Sequence, residues 1–376
     1  MCKTSSVNTT LPPRPKALGS LRHVFTSALD SVTGMRSQLG YKPKRKVLVI
    51  LVDGMGAENV LARAGHAPWL AREISAGATG LSSFPATTST NIAGFATGLN
   101  PGEHGFIGHV VSDKRFGERL NLLNGWTDQT DPQRWQPNQT VSERAAISGV
   151  ACNVIAAEEY RSTGFTQATM REANFLGVDD LAERFDRALE LLNSAEDSIN
   201  YLYVPELDKY GHINGWQSPG WAMQLETVAA QIDRLVKRLP TDAGVVITAD
   251  HGMLDSNEDQ KIELSDLLNP LGVEFFGGDT RTALLYLQTP EAASSARMAL
   301  QDSIHFNCYT PQELESWYGT FGHNALDRLP ELVLIAKANH TLYHSGFSKP
   351  KSYRMIAHHG AMSSAELRIP LIRVGI

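Results

Sequence analysis

Three carboxylates stand just past apolar runs in this chain: Asp53 after KVLVILV, Asp208 after INYLYV and Asp250 after VVITA. His212 follows Asp208 by four residues, a spacing that puts both on one face of a helix and lets them share a metal ion even in a loop. His251 follows Asp250 directly. Adjacent ligands on extended backbone diverge, so a tight turn permitted by Gly252 is expected to aim both at one ion. Further on, His358-His359-Gly360 offers two more imidazoles, either of which suits by type. Taking His359, the set amounts to three carboxylates and three imidazoles, enough to hold two metal ions with three protein ligands each. Oxygen and nitrogen donors without thiolate suit zinc, manganese or iron, zinc being the first expectation.

A second cluster lies in FPATTSTNIAGFATG, Phe84–Gly98. Small hydroxyl residues there precede Ile92, Phe95 and Ala96, a pattern that reads as a buried helix. A threonine in the first turn of that helix would present its hydroxyl beside free backbone N–H groups, which bind phosphate oxygens without a basic side chain. Thr87, Thr88, Ser89 and Thr90 are all eligible on spacing. An ordinary N-cap cluster would look the same if it stood alone.

These residues need a frame that brings distant segments to one edge. Lys46–Val52 is a continuous aliphatic run of the kind buried on both faces of a parallel sheet. Ala151–Ile155, Ile199–Val204 and Val245–Ala249 repeat the pattern, with helical stretches such as Asp179–Leu192 and Trp221–Leu239 between them. The alternation predicts an α/β fold, a doubly wound and mainly parallel sheet with helices on both faces. Ligands of such sheets lie beyond the carboxyl ends of the strands, where Asp53, Asp208 and Asp250 are expected to converge. Between residues 271 and 338 the pattern changes to short strands around a helix, which predicts a small α+β cap inserted into a catalytic domain of residues 41–270 and 339–376. Residues 1–40, with prolines clustered in Leu11–Pro15, read as a loosely attached N-terminal arm.

Taken together and in this order, LVDGMG, FPATTSTN, GLNPGEHG, LDKYGH, ADHGM and HHG resemble the alkaline phosphatase superfamily and, within it, the type I nucleotide pyrophosphatase/phosphodiesterase family. The resemblance covers roughly residues 46–376. It implies an alkaline phosphatase-like fold, with Thr88 as nucleophile because it falls four residues after Phe84. It further implies that Asp53, Thr88, Asp250 and His251 serve one metal and Asp208, His212 and His359 the other. Where the family usually keeps an Asn to hold the phosphoryl oxygen, this chain has His109, a replacement donor for phosphate. The activity implied is hydrolysis of phosphodiester or nucleotide pyrophosphate bonds through a phosphothreonine intermediate. The same metal site could instead serve a phosphomonoesterase, a phosphonate hydrolase or a phosphosugar mutase. A non-catalytic metal-binding protein would have no need of an aligned Thr88.

The whole-chain composition limits the partners. A net charge of −6 gives no global attraction to nucleic acid or anionic membrane. The expected substrate is a small phosphate ester, possibly a nucleotide, with bound metal as the cationic centre. Cys2, Cys152 and Cys308 form neither a CxxC pair nor a disulfide framework, and no run of about 18 apolar residues occurs. Both features suit a cytoplasmic protein. From Gly80 to Val111 there is no Lys or Arg, so an arginine for a monoester dianion would have to come from elsewhere, with Arg161, Arg171 and Arg281 as candidates. Trp126, Trp135, Trp216 and Phe276 are candidates to stack on a base.

Overall fold

The computed structural model describes residues 11–115 and 117–376. Cys2 and the first ten residues of the expected arm lie outside the described residues.

The apolar runs form a seven-stranded sheet. Its order is Thr79–Leu81, Arg368–Val374, Ala243–Thr248, Lys46–Val52, Ser198–Val204, Ala151–Ala156 and Asn174–Gly177. Lys46–Val52 is buried along its whole length and pairs in parallel with both neighbours, Ser198–Val204 and Ala243–Thr248. Burial on both sides is what its unbroken Val, Leu and Ile run requires. Only Arg368–Val374 runs antiparallel, to Ala243–Thr248 and to Thr79–Leu81. The mainly parallel α/β sheet expected from the sequence is therefore present.

Register fixes where the strands deliver their ends. Val52 pairs with Val204, and Leu51 with Thr248, so three carboxyl ends stop at one level. Asp53 N–H then donates to Val204 O at 2.9 Å, extending the ladder into the first residue past the strand. Helix Leu181–Asn193 is started by Asp180, whose side chain accepts from Glu183 N, and Pro219–Val236 by Ser218, which accepts from Trp221 N.

A second, six-stranded sheet has the order Phe306–Tyr309, Leu332–Ala336, Thr282–Leu287, Val273–Gly278, Val110–Asp113 and Glu118–Asn121. It has its own apolar cluster around Leu285, Leu334 and Leu300. Four of its strands come from residues 271–338. The other two come from the stretch just after the Thr88 helix, and join through a pair between Gly278 and Val110.

Part of the expected arm, from Val24 on, is less loose than its sequence suggests. Val24–Thr33 is a helix with Val24, Phe25, Ala28 and Leu29 buried, and Phe25 stacks on Phe95 with centroids 4.6 Å apart. Four apolar positions in two turns form a stripe short enough to be overlooked beside the prolines.

Candidate active site

Asp53, Asp208 and Asp250 meet at the rim predicted for them. Asp208 and His212 lie on helix Glu206–Asn214, one turn apart, with Oδ2 and Nε2 3.2 Å from each other. His359 Nε2 stands 3.8 Å from Asp208 Oδ1. Both imidazoles are aimed by their other nitrogen: His212 Nδ1 lies 2.8 Å from Ala357 O and His359 Nδ1 2.8 Å from Ala86 O. A ring that gives its Nδ1 proton to a carbonyl presents Nε2 as a lone pair, the state a metal ion requires. His251 Nε2 lies 3.4 Å from Asp53 Oδ1 and 3.4 Å from Asp250 Oδ2. The two triads, Asp208/His212/His359 and Asp53/Asp250/His251, each bring their donor atoms within 4.8 Å of one another. They adjoin through stacked His251 and His359 rings, 3.6 Å between centroids.

The electrostatics call for cations. Burial, together with Asp250 and Asp208 nearby, holds the Asp53 carboxyl well above the ordinary range, while Tyr203 donates its hydroxyl to the other oxygen. Burial also raises Asp250, against the pull of His251. Burial would push Asp208 up as well, but His212 and His359 bring it below the usual carboxylate range. Asp53 Oδ1, Asp208 Oδ1 and Asp250 Oδ2 are buried with no hydrogen-bond partner among the described residues. Unsatisfied carboxylate oxygens at one rim are costly unless a cation takes them, so the donor set fits two divalent ions.

Thr88 opens helix Thr88–Thr97 after an extended Thr87, which leaves the first-turn N–H groups free of intrahelical partners. Its Oγ1 lies 3.1 Å from His251 Nε2. The neighbouring hydroxyls are placed otherwise: Ser89 donates to Gly108 O, and Thr87 Oγ1 pairs with Ser89 Oγ. Thr90 Oγ1 is buried with no partner among the described residues. Of the four, Thr88 is the one brought to the candidate metal-ligand residues. His358 is turned away, with Nδ1 2.8 Å from Thr280 Oγ1 and Nε2 3.2 Å from Met355 O.

The glycines act differently from one another. Gly252 does not take the left-handed conformation expected of a turn. It is needed for close approach, since a Cβ there would come 2.0 Å from Ala365 O and 2.8 Å from Gly56 Cα. Gly360, at φ 129°, does take a glycine conformation.

Two cavities of about 490 and 520 Å³ meet at Thr88. Asp208, His212, His359 and His109 line the first, between the site and the six-stranded sheet. Asp53, Tyr160, Tyr203 and Phe175 line the second. His109, lowered to about 4 by burial and by His212 and Lys349, stays neutral at pH 7. Asn121 Nδ2 lies 2.9 Å from His109 Nε2, and its Oδ1 accepts from Leu123 N and Asn124 N. With the amide so oriented, Nε2 is the acceptor and Nδ1 keeps the proton.

None of the arginines considered from sequence faces these cavities. Arg281 is buried on Glu366, Arg171 pairs with Glu143 and Arg161 with Glu158. Trp126, Trp135 and Trp216 are not in the walls either, whereas Phe276 lines the first cavity. Asn121, Tyr203, Phe347 and Lys349 were not singled out in the sequence. Only Tyr203 carried a signal, as a hydroxyl in a buried strand that must find a partner.

Residues 47–362 match the family profile of type I phosphodiesterase / nucleotide pyrophosphatase, most of the chain. The chain belongs to this family. It is 22% identical over 292 residues to the bis(5'-adenosyl)-triphosphatase enpp4 of Xenopus laevis, covering 74% of this chain and 60% of that protein. It is 23% identical over 328 residues to human bis(5'-adenosyl)-triphosphatase ENPP4, covering 83% of this chain and 69% of that one. Among solved structures, murine ectonucleotide pyrophosphatase / phosphodiesterase 5 superposes with a TM-score of 0.67 at 19% identity, over 87% of each chain. Phosphonoacetate hydrolase from Sinorhizobium meliloti superposes with a TM-score of 0.67 at 20% identity, over 89% of this chain and 91% of that one. At such identities the superpositions speak for the shared fold.

Proposed function

We propose that the chain is a metal-dependent hydrolase of phosphodiester or nucleotide pyrophosphate bonds that uses Thr88 as its nucleophile. The observation that carries this reading is the juxtaposition of Thr88 Oγ1, 3.1 Å from His251, with two three-residue groups of metal-ligand type. Family membership and the relatives named as bis(5'-adenosyl)-triphosphatases support a nucleotide substrate.

Asp53, Asp250 and His251 would hold one divalent ion beside Thr88, and Asp208, His212 and His359 the other. Zinc fits these oxygen and nitrogen donors, as do manganese and iron. When bound, the ions supply charge that lowers the pKa of a hydroxyl near neutral pH and offsets charge on the phosphoryl oxygens. Thr88 Oγ1 attacks phosphorus in line, forming an O–P bond as the ester oxygen opposite departs with the bonding electron pair. Water then attacks the phosphothreonine and restores the hydroxyl. The free N–H groups at the helix start hold equatorial oxygens, and His109 Nδ1–H adds a neutral donor there.

A diester carries one negative charge at phosphorus, which backbone amides and hydroxyls suit. A monoester dianion calls for a further cation, and Arg161, Arg171 and Arg281 are bound elsewhere. The expected outcome is therefore higher kcat/KM for bis-p-nitrophenyl phosphate than for p-nitrophenyl phosphate at equal metal content, with loss of both activities on chelation. Preference for the monoester would overturn the diesterase assignment, and full activity after complete metal removal would overturn the metal-dependent mechanism.

A further inference from the structure

His109 stands one residue before strand Val110–Asp113, and Asn121 ends the strand that turns back along it, Glu118–Asn121. The hairpin register pairs Val110 with Asn121, and Leu122 N carries the ladder one step further by donating to His109 O at 2.9 Å. Side chains on facing strands one position out of register are still within reach of each other, and Asn121 Nδ2 lies 2.9 Å from His109 Nε2. On the other side, Ser89 in the first turn of the Thr88 helix donates to Gly108 O at 3.0 Å, which ties the backbone just before His109 to that helix. Nδ1 of His109 has no hydrogen-bond partner among the described residues, and the ring lines the first cavity together with Thr88, Asp208 and His359.

Asn121 is not free to turn its amide over. Its Oδ1 accepts from Leu123 N and from Asn124 N, both at 3.1 Å, in the loop that follows the strand. Flipped, the amino end would face those two N–H donors and the oxygen would face Nε2. The nitrogen of an imidazole that carries the proton is set by the hydrogen bond the other nitrogen makes. A donor held on Nε2 requires a lone pair there, so the proton stays on Nδ1, the nitrogen left without a protein partner. Without Asn121 both tautomers would be available, and the one protonated on Nε2 would turn a lone pair toward a phosphoryl oxygen.

Resting on the hydrolase reading above, we infer that Asn121 is a positioning residue of the active site: it holds the His109 proton on Nδ1, so that a phosphoryl oxygen meets a donor there and not a lone pair. The Asn121–His109 pair then does the work of the single amide that is usual in the family at position 109. Asn121 itself touches no substrate in this scheme, so the effect of changing it depends on a histidine being present at 109.

The test uses Asn121→Asp, which keeps oxygens for Leu123 N and Asn124 N but offers Nε2 only an acceptor and so draws the proton from Nδ1 to Nε2. Nitrogen-15 NMR of the zinc-loaded protein with labelled histidines, the His109 signals being identified by their loss in His109→Asn, should place the proton on Nδ1 in the wild type and on Nε2 in Asn121→Asp. Turnover of bis-p-nitrophenyl phosphate should fall at least about tenfold in Asn121→Asp, on the scale of one lost donor to the phosphoryl oxygens. The same substitution made in His109→Asn adds the same carboxylate charge with no ring to reorient, and there most of the loss should vanish. A proton on Nε2 in the wild type, or the same fold-loss in both backgrounds, would overturn the role of Asn121 while leaving the hydrolase standing. A wild-type protein that cleaves no phosphate ester would overturn the hydrolase reading and this role with it.

Discussion

Thr88 differs from the hydroxyls beside it through its partners, since all four share one helical turn. Thr87 and Ser89 are bonded to each other and to Gly108 O, while Thr88 Oγ1 meets His251 at the join of the two triads. Removing its hydroxyl leaves every carboxylate and imidazole of the site in place. Thr88→Ala should therefore lose at least about a thousandfold in kcat, the scale expected when a nucleophile is deleted, with its metal content unchanged by elemental analysis. Thr87→Ala should be much milder. Activity near wild type in Thr88→Ala at full metal content would remove this residue from the mechanism.

Among the elements, the turn after His359 is held by tertiary contacts. Gly360 O accepts from Ala86 N at 3.3 Å and from Thr282 Oγ1 at 2.8 Å, which ties His359 to the approach to the Thr88 helix and to the six-stranded sheet. Just beyond it, Glu366 takes Ala361 N, Ser363 Oγ and both ends of the buried Arg281 guanidinium. Arg281, a phosphate-binding candidate by sequence, thus fixes the segment that carries His359, a proposed metal ligand. Arg281→Met leaves Glu366 buried and unpaired, a cost of about 3–5 kcal/mol in unfolding free energy by urea titration. The same variant should lose metal from the Asp208/His212/His359 group before the other. Gly360→Ala should do likewise without removing a charge, because its Cβ would fall 2.3 Å from Asp279 Oδ1. Retention of both metals in both variants would show that the turn is not what holds His359.

At the scale of the whole molecule, the buried Asp53 carboxylate works against the fold. The raised Asp53 carboxyl holds its proton more tightly folded than unfolded. Such a group costs nothing below its unfolded pKa of about 3.9, and weakens the fold as pH rises from there to the folded value. In chelated protein, Asp53→Asn should raise Tm at pH 8 and lose that advantage as the pH approaches the ordinary carboxylate range, whereas in metal-loaded protein it should lower Tm. A pH-independent difference in the chelated protein would remove Asp53 as the source. The sequence alone determined the parallel sheet, because unbroken aliphatic runs separated by helical stretches bury both faces only in that arrangement, and it placed Asp53, Asp208 and Asp250 at the strand ends for the same reason. The four-residue spacing would put Asp208 and His212 on one face of a helix, and the structure supplies that helix. By residue type His358 and His359 are alike, and only the family resemblance pointed to His359; in the structure Thr280 and Met355 claim the His358 ring while Ala86 orients that of His359. The tertiary structure alone brought Val110–Asp113 and Glu118–Asn121 into the second sheet, and with them Arg119 and Asn121 to the first cavity beside His109. Contacts between segments far apart in the chain have no period or spacing to betray them, because they depend on how whole sheets pack and not on how neighbouring residues turn.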